Sequence, residues 1–213
     1  MRLIVLSTSL FFACSGDEAS DKITADTTAA ATGDTGAPNT FTGDTGEITD
    51  PPTGCEPGAP VGVDYGMCTP GFALPDSSGN IIDLASFRGQ VVLVDIIGMW
   101  CGPCQELAPE VEGLYQERRA DGFVAITMVA ENLSGGTPSL DDAASWESSL
   151  GLTYPVVADV DGQHEAWDRG GITVIPMTYI LDQEGVIRFF AGGSGTIEEM
   201  AYEVDRLLKA PPE

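Results

Sequence analysis

Basic residues are scarce in this chain. Its 213 residues include 9 Lys and Arg against 33 Asp and Glu, which gives a net charge of −24 at pH 7. A protein with this charge repels the phosphates of nucleic acids and anionic membrane surfaces. The composition therefore predicts no nucleic-acid partner and favours solubility.

Histidine is also scarce, and this limits metal chemistry. The one histidine, His164, lies in the polar stretch "DGQHEAW", which is typical of an ordinary surface residue. The 5 cysteines include a single Cys-x-x-Cys pair, whereas a structural zinc site needs two such pairs or one pair plus histidines. We therefore predict no metal and no cofactor. A copper site built from two thiols and His164 stays open as an alternative.

The N-terminal apolar run is too short to cross a bilayer as a helix. Residues 3–13 follow Arg2 and match the apolar core of a secretion signal. The run ends in "FFAC", which resembles a bacterial lipoprotein signal, in which a small residue precedes a lipidated cysteine. The resemblance implies a signal peptide over residues 1–13 and a lipid on Cys14. The alternatives are an ordinary signal peptide with a free Cys14, or a chance apolar run.

Residues 14–54 have almost nothing to bury. They are dominated by Thr, Gly, Ala, Asp and Pro, and "TGDTG" occurs twice. Such a segment does not offset its own ordering entropy. We predict a disordered acidic tether over 14–54, followed by one folded domain over 55–213.

The folded domain alternates strand and helix patterns. "VVLVDIIG" (91–98) and "FVAITMVA" (123–130) are apolar, β-branched runs typical of strands buried on both faces. Caps and apolar periodicity predict helices. These run from Gly102 to about Ala120, from the Ser139 cap to Gly151, and over "TIEEMAYEVDRLLKA" near the C-terminus.

Shorter elements complete the pattern. A hairpin is predicted from strands 72–74 and 81–84 around the turn "DSSGN". "YPVVAD", "PMTYILD" and "VIRFFAGG" read as strands, and "GQHEAWDRGG" as a short helix ending at glycine. Strands alternating with helices predict an α/β fold, with a central mixed β-sheet and helices on both faces.

The pair in "MWCGPCQ" could bind metal, staple a loop or carry electrons. A staple between Cys101 and Cys104 would close too small a loop to restrain much chain entropy. The redox interpretation explains more, because the pair follows a buried strand and Gly102-Pro103 opens a helix. The helix N-terminus favours the Cys101 thiolate and lowers its pKa.

These residues carry a family resemblance. "VVLVDIIGMWCGPC" resembles the active-site strand and motif of the thioredoxin superfamily, and "PGFALPDSSGNIIDLASFRGQVVLVDI" resembles the opening of its peroxiredoxin-related (AhpC/TSA) branch. The match is nearest to membrane-attached thiol–disulfide oxidoreductases of the TlpA/ResA type. It implies a thioredoxin-like fold with an N-terminal β-hairpin extension. Peroxidases of this branch have Thr where Gly98 stands, so a peroxide-reducing site is not expected.

The resemblance also implies residue roles. Cys101 would be the attacking thiol, Cys104 the resolving thiol, and Asp95 a buried acid that relays protons to Cys104. "VIPMTYILDQEGVIRFFAGG" resembles the region of the superfamily's cis-proline, which implies a cis bond between Ile175 and Pro176. The resemblance further implies a substrate-binding surface formed by Trp100, Gly102, Pro103, Ile175 and Pro176.

Cys55 and Cys68 admit two interpretations. One is a structural disulfide that pins the entry segment to the domain, worth about 3 kcal/mol by loop closure. The other is a second redox pair that passes electrons to Cys101. We expect the structural disulfide.

Together these features predict a monomeric, lipid-anchored oxidoreductase in the bacterial cell envelope, facing the periplasm. It would reduce a disulfide-containing protein substrate and be recharged by a membrane thiol reductant. The alternative is a thioredoxin-like binding module, or a copper or apocytochrome chaperone, with little turnover.

Overall fold

The strand β3 (Val91–Gly98) lies at the centre of the domain. In the computed structural model, which describes residues 55, 58–169, 174–193 and 195–210, every residue of β3 is buried. Its neighbours are β4 (Phe123–Glu131), which runs parallel to it, and β6 (Met177–Leu181), which runs antiparallel. The described residues all belong to one compact unit.

Three predictions lie outside the described residues: the signal peptide over 1–13, the lipid on Cys14 and the tether over 14–54. Within the described part of the chain, none of the helices combines the length and the apolar character needed to cross a bilayer.

The predicted mixed sheet and N-terminal hairpin are confirmed. The strands β5 (Val156–Ala158) and β7 (Ile187–Gly192) complete a five-stranded sheet in the order β5-β4-β3-β6-β7. β5 is parallel to β4, and β7 is antiparallel to β6. The strands β1 (Ala73–Pro75) and β2 (Ile81–Asp83) form the separate antiparallel hairpin.

The three predicted helices are present, and the second begins directly after its predicted cap, Ser139. They are α1 (Gly102–Arg118), α2 (Leu140–Leu150) and α3 (Ile197–Lys209). Ser139 and Thr196 each cap a helix through a reciprocal capping box, which satisfies backbone N–H groups that have no partner inside the helix. α2 ends at Gly151, whose φ of 67° lies in the left-handed region that glycine adopts without strain.

The two faces of the sheet have different covers. The α-helices pack in one core with Leu93 and Ile97 of β3. The opposite face, including Val94, packs against the hairpin and two 3₁₀ helices, Leu84–Phe87 and Gln163–Trp167. Helical segments therefore lie on both faces, as predicted.

The helix expected from "GQHEAWDRGG" is shorter than the sequence pattern indicates. It is a 3₁₀ helix that ends at Trp167, with Asp168 already extended. Trp167 is buried, its indole Nε1 donates a hydrogen bond to the Gly71 carbonyl oxygen at 3.3 Å, and its own carbonyl accepts one from the Tyr179 hydroxyl at 2.8 Å. These contacts commit Trp167 to the core and end the helix before the glycines.

The topology brings several chain segments to one edge of the sheet. β3, β4 and β5 are parallel, so their carboxyl ends meet there. β6 starts at the same edge, because Met177 pairs with Ile96. Such an edge is where open α/β sheets place their functional groups.

His164 is not the solvated surface residue that its polar sequence predicts. Its side chain is 22% exposed, and its Nδ1 pairs with the carboxylate of Asp159, which is buried. Asp159 also accepts hydrogen bonds from the backbone amides of Gln163 and His164. The pair fastens the 3₁₀ helix to the end of β5.

This ion pair predicts a pH-dependent stability. The hydrogen bond to Asp159 raises the pKa of His164 despite partial burial. Burial raises the pKa of Asp159, but the hydrogen bonds from His164 and the two amides outweigh it, so the net shift is downward. The contribution of His164 to the free energy of unfolding is therefore complete below about pH 6.5, and it is lost as the pH rises through the folded-state pKa of His164. The contribution of Asp159 is lost only as the medium becomes strongly acidic.

We expect wild type to be more stable than His164→Asn near about pH 6, and this difference to shrink by about pH 9. Asn keeps a donor for Asp159 but carries no charge. Urea unfolding at both pH values measures the two free energies. A difference that stays constant with pH would contradict the assignment.

Candidate active site

The loop between β3 and α1 carries the two cysteines and is held by backbone hydrogen bonds. The Met99 amide donates to the Glu131 carbonyl oxygen at 2.9 Å, and the Cys101 amide donates to the Gly98 carbonyl oxygen at 3.0 Å. The Gln105 side-chain amide donates to the Met99 carbonyl oxygen at 2.9 Å. A short connection tied at three points leaves the cysteines little positional freedom.

Cys101 and Cys104 form a disulfide, with their Cα atoms 5.3 Å apart. Cys101 is the N-cap of α1, and its Sγ accepts a hydrogen bond from the Cys104 amide at 3.2 Å. Pro103 lies in the first turn, where its missing N–H costs no hydrogen bond. In the reduced protein the same amide and the helix dipole would favour a Cys101 thiolate.

The two sulfurs differ in access. Cys101 is 3% exposed and Cys104 is fully buried. A partner molecule therefore reaches Cys101 first, which fits an outer attacking thiol and an inner resolving thiol.

Asp95 is buried in the middle of β3, at 2% exposure, as the apolar surroundings in "VVLVDII" predict. Burial disfavours the charged form and raises the pKa of its carboxyl to about 7, while a hydrogen bond from Thr178 opposes the shift. The Thr178 hydroxyl donates to Asp95 Oδ1 at 2.8 Å. A carboxyl with this pKa can accept or release a proton near neutral pH.

The peptide bond between Ile175 and Pro176 is cis, as the family resemblance implies. Pro176 directly precedes β6, and the Pro176 carbonyl oxygen accepts a hydrogen bond from the Gly193 amide at 2.8 Å. Because Met177 pairs with Ile96, the proline lies beside the end of β3 from which the cysteine loop leaves. Within the described residues, neither main-chain polar group of Ile175 has a hydrogen-bond partner.

Trp100 stands half exposed, at 50%, beside the disulfide loop. Its indole Nε1 donates to Glu131 Oε2 at 2.7 Å. A register shift after Ile97 pairs Gly98 with Glu131, which brings the carboxylate opposite the loop. Gly98 has to lack a side chain here, because a Cβ would lie 2.8 Å from the indole nitrogen of Trp100.

Glu131 and Thr178 were not found from the sequence. Glu131 ends the strand next to β3, so the parallel topology was the available signal for it. Thr178 has the weaker signal of standing two residues after the cis-proline, in a strand whose register the sequence does not specify. Trp146 and Trp167, by contrast, are buried packing residues.

The described residues contain no cluster of three or more His, Cys, Asp or Glu side chains able to hold a metal ion. The structure thus does not bring His164 together with Cys101 and Cys104. His164 is paired with Asp159 instead.

Cys55 and Cys68 form a second disulfide, with Cα atoms 6.1 Å apart. Cys68 bridges to Val186, in the turn between β6 and β7. This turn lies opposite the active-site edge, because Leu181 pairs with Val92 near the start of β3. Six residues of extended strand, or roughly 20 Å, separate this turn from the active-site edge of the sheet. The two disulfides therefore lie at opposite ends of the sheet.

Comparison with known proteins agrees with this geometry. The profile of the AhpC/TSA family matches residues 65–190. The chain is 31% identical to the thioredoxin-like protein YneN of Bacillus subtilis over 145 residues, which covers 68% of this chain and 81% of YneN. It is 28% identical to the thiol-disulfide oxidoreductase ResA of Geobacillus thermodenitrificans, covering 68% of this chain and 79% of ResA.

The fold is shared with solved structures. A putative thiol:disulfide interchange protein DsbE from Chlorobium tepidum superimposes with a TM-score of 0.59 at 24% identity, covering 68% of this chain and 99% of that one. The redox-type cysteine pair, the cis-proline and the sequence relatives all agree with one another. The chain belongs to the AhpC/TSA family and is a thiol–disulfide oxidoreductase with a thioredoxin-like fold.

Proposed function

We propose that this oxidoreductase reduces disulfides of protein substrates outside the cytosol, held to a membrane by a lipid on Cys14. The observation that carries the direction of transfer is a Gly-Pro pair between Cys101 and Cys104 at the start of α1. Thioredoxin, a reductant with a potential near about −270 mV, has the same pair. The location rests on the signal-like residues 1–13 and on the Cys55–Cys68 disulfide, a bond that persists in oxidising compartments.

In the proposed reaction, the Cys101 thiolate attacks one sulfur of the substrate disulfide. A mixed disulfide forms, and the other substrate sulfur leaves as a thiolate that takes up a proton. The Cys104 thiol then passes its proton to the Asp95 carboxylate and attacks Cys101 Sγ, which releases the second substrate thiol. Two electrons pass from the dithiol to the substrate, and the enzyme is left with the Cys101–Cys104 disulfide.

Two further surfaces take part in this proposal. The main-chain groups of Ile175, before Pro176, have no partner among the described residues and are suited to pair with an extended substrate segment. Trp100 supplies a half-exposed apolar wall, and Gly102 and Pro103 leave the approach to Cys101 unobstructed by long side chains. A membrane dithiol reductant restores the Cys101–Cys104 dithiol, and the protein acts as a monomer.

The central test is insulin reduction with dithiothreitol as reductant. We expect Cys101→Ser to abolish the rate enhancement, because it removes the nucleophile. Cys104→Ser keeps the nucleophile but not the resolving thiol, so it should accumulate a mixed disulfide visible by mass spectrometry. Equal rates for wild type and Cys101→Ser would refute a catalytic role. A measured reduction potential far above that of thioredoxin would refute the reducing direction.

The contact between Glu131 and Trp100 predicts an effect on substrate binding. Glu131→Leu removes the acceptor for the indole, so Trp100 should lose its fixed orientation and kcat/KM should fall about fivefold, mainly through KM. Glu131→Gln is the matched control, because it removes the same charge but keeps an acceptor oxygen. Steady-state insulin reduction and Trp fluorescence measure both variants. Equal losses in the two variants would mean that charge, and not the hydrogen bond, matters.

The Cys55–Cys68 disulfide is proposed to be structural. The double variant Cys55→Ser/Cys68→Ser should lose about 3 kcal/mol of unfolding free energy, the value expected for a loop of this size. Its insulin reduction rate should match wild type, because this disulfide lies at the far end of the sheet. Urea unfolding under oxidising conditions gives the first quantity. A strong loss of activity in a folded double variant would instead support electron transfer through this pair.

A further inference from the structure

Hydroxyl groups surround the carboxyl of Asp95. Thr127 on β4 and Thr178 on β6 are its register partners on either side. The Thr178 hydroxyl donates to Asp95 Oδ1 at 2.8 Å. The Thr127 hydroxyl donates to the Tyr154 hydroxyl oxygen at 3.3 Å. All four residues are buried, so two hydrogen-bonded pairs of polar side chains lie next to each other inside an apolar core.

The sheet geometry explains why this cluster forms. Residues in register on neighbouring strands project to the same face, and the strands lie about 4.8 Å apart. Thr127 and Thr178 are therefore the nearest side chains to Asp95 across the sheet. Thr178 engages Oδ1 only. Oδ2 accepts no hydrogen bond from the described residues and lies open to a second donor.

The core on the same face of the sheet as Asp95 contains the two thiol residues and mostly apolar side chains. The core on this face includes Cys101 and Cys104 from α1, and Tyr154 from the segment before β5. The buried side chains of α3 in this core are Met200, Val204 and Leu207. Within the described part of the chain, no Lys, Arg or His side chain forms a hydrogen bond or ion pair with Asp95.

Cationic and apolar neighbours have opposite effects on the pKa of a buried acid. A paired cation holds a carboxyl ionised, whereas a wholly apolar site holds it neutral. A hydroxyl has a smaller effect than a cation, because it stabilises the carboxylate by donating to it but can also turn to accept from the protonated acid. Burial of the Tyr154 hydroxyl and the nearby charge of Asp95 both raise the pKa of this phenol, so it stays protonated near neutral pH.

We propose that Thr178, supported by the Thr127–Tyr154 hydroxyl pair, is a positioning group that keeps Asp95 able both to accept and to release the proton of Cys104. This inference rests on the proposed function and deepens it. In the transfer, the S–H bond of Cys104 breaks and an O–H bond forms on Asp95, with no change in oxidation state. The proton later leaves Asp95 for the released substrate thiolate or for solvent.

The direct test is a ¹³C NMR titration of the Asp95 carboxyl in the full protein, in both redox states. Thr178→Val should raise the pKa of Asp95 by about one unit, because among the described residues Thr178 is the donor that stabilises the charged form. Thr178→Ser keeps the hydroxyl and should titrate close to wild type. Thr127→Val and Tyr154→Phe should shift the pKa in the same direction by a smaller amount.

Thr69→Val is the matched control. Thr69 is also buried, its hydroxyl has no hydrogen-bond partner within the described structure, and it lies by the turn at the opposite end of the sheet. This variant should leave the Asp95 titration unchanged. Circular dichroism verifies that each variant is folded, and Thr178→Ser with Tyr154→Phe keeps the test valid if Thr178→Val does not fold.

A kinetic measurement completes the test. Decay of the mixed disulfide, followed by rapid quenching and mass spectrometry, should be about tenfold slower in Thr178→Val than in wild type at pH values below the wild-type pKa of Asp95. Three results would overturn the proposal: an unshifted Asp95 titration in Thr178→Val, an equal shift in Thr69→Val, or a shifted titration with unchanged decay of the mixed disulfide. The titration needs no turnover, so it stands apart from the insulin assay that tests the proposed function.

Discussion

The site depends on one abrupt connection, in which β3 ends at Gly98 and α1 begins at Gly102. The connection is short because the Met99 amide is bound to the end of β4 and the Cys101 amide to Gly98. It aims the unpaired amides of the helix N-terminus at Cys101, where they favour negative charge. The same connection carries Trp100 out to the surface, over a glycine that leaves room for its indole. A longer connection would separate the helix terminus from the sulfur that it activates.

A second constraint on the core is the burial of the polar residue Asp95. Asp95 interrupts an apolar strand at a cost in desolvation, and this cost raises its pKa to about 7. A fold selected for stability alone would bury an apolar residue there. Instead, two neighbouring strands place threonines at the same level, and one of them donates to the carboxyl. Burying Asp95 therefore costs stability, and it gives the core a carboxyl group with a pKa near neutral pH.

The two disulfides lie at opposite ends of the sheet. The Cys101–Cys104 bond closes a very small loop, so its presence or absence changes chain entropy little and it is free to cycle. The Cys55–Cys68 bond ties the entry segment to the turn between β6 and β7, away from the redox site. This separation by the length of a strand is compatible with the structural role proposed for Cys55–Cys68 and the redox role proposed for Cys101–Cys104.

The sequence alone determined the buried strands, the capped helices and the redox character of "CGPC", because apolar runs, caps and the Cys-Gly-Pro-Cys spacing are local signals. The sequence did not indicate the environment of His164, since a polar stretch does not reveal that the carboxylate of Asp159, just after β5, is buried and pairs with the imidazole. Only the tertiary structure decided that Glu131 holds Trp100, that Thr178 binds Asp95, and that the two disulfides lie apart. Each of these depends on strand order and register, which pair residues distant in sequence and which no local pattern encodes.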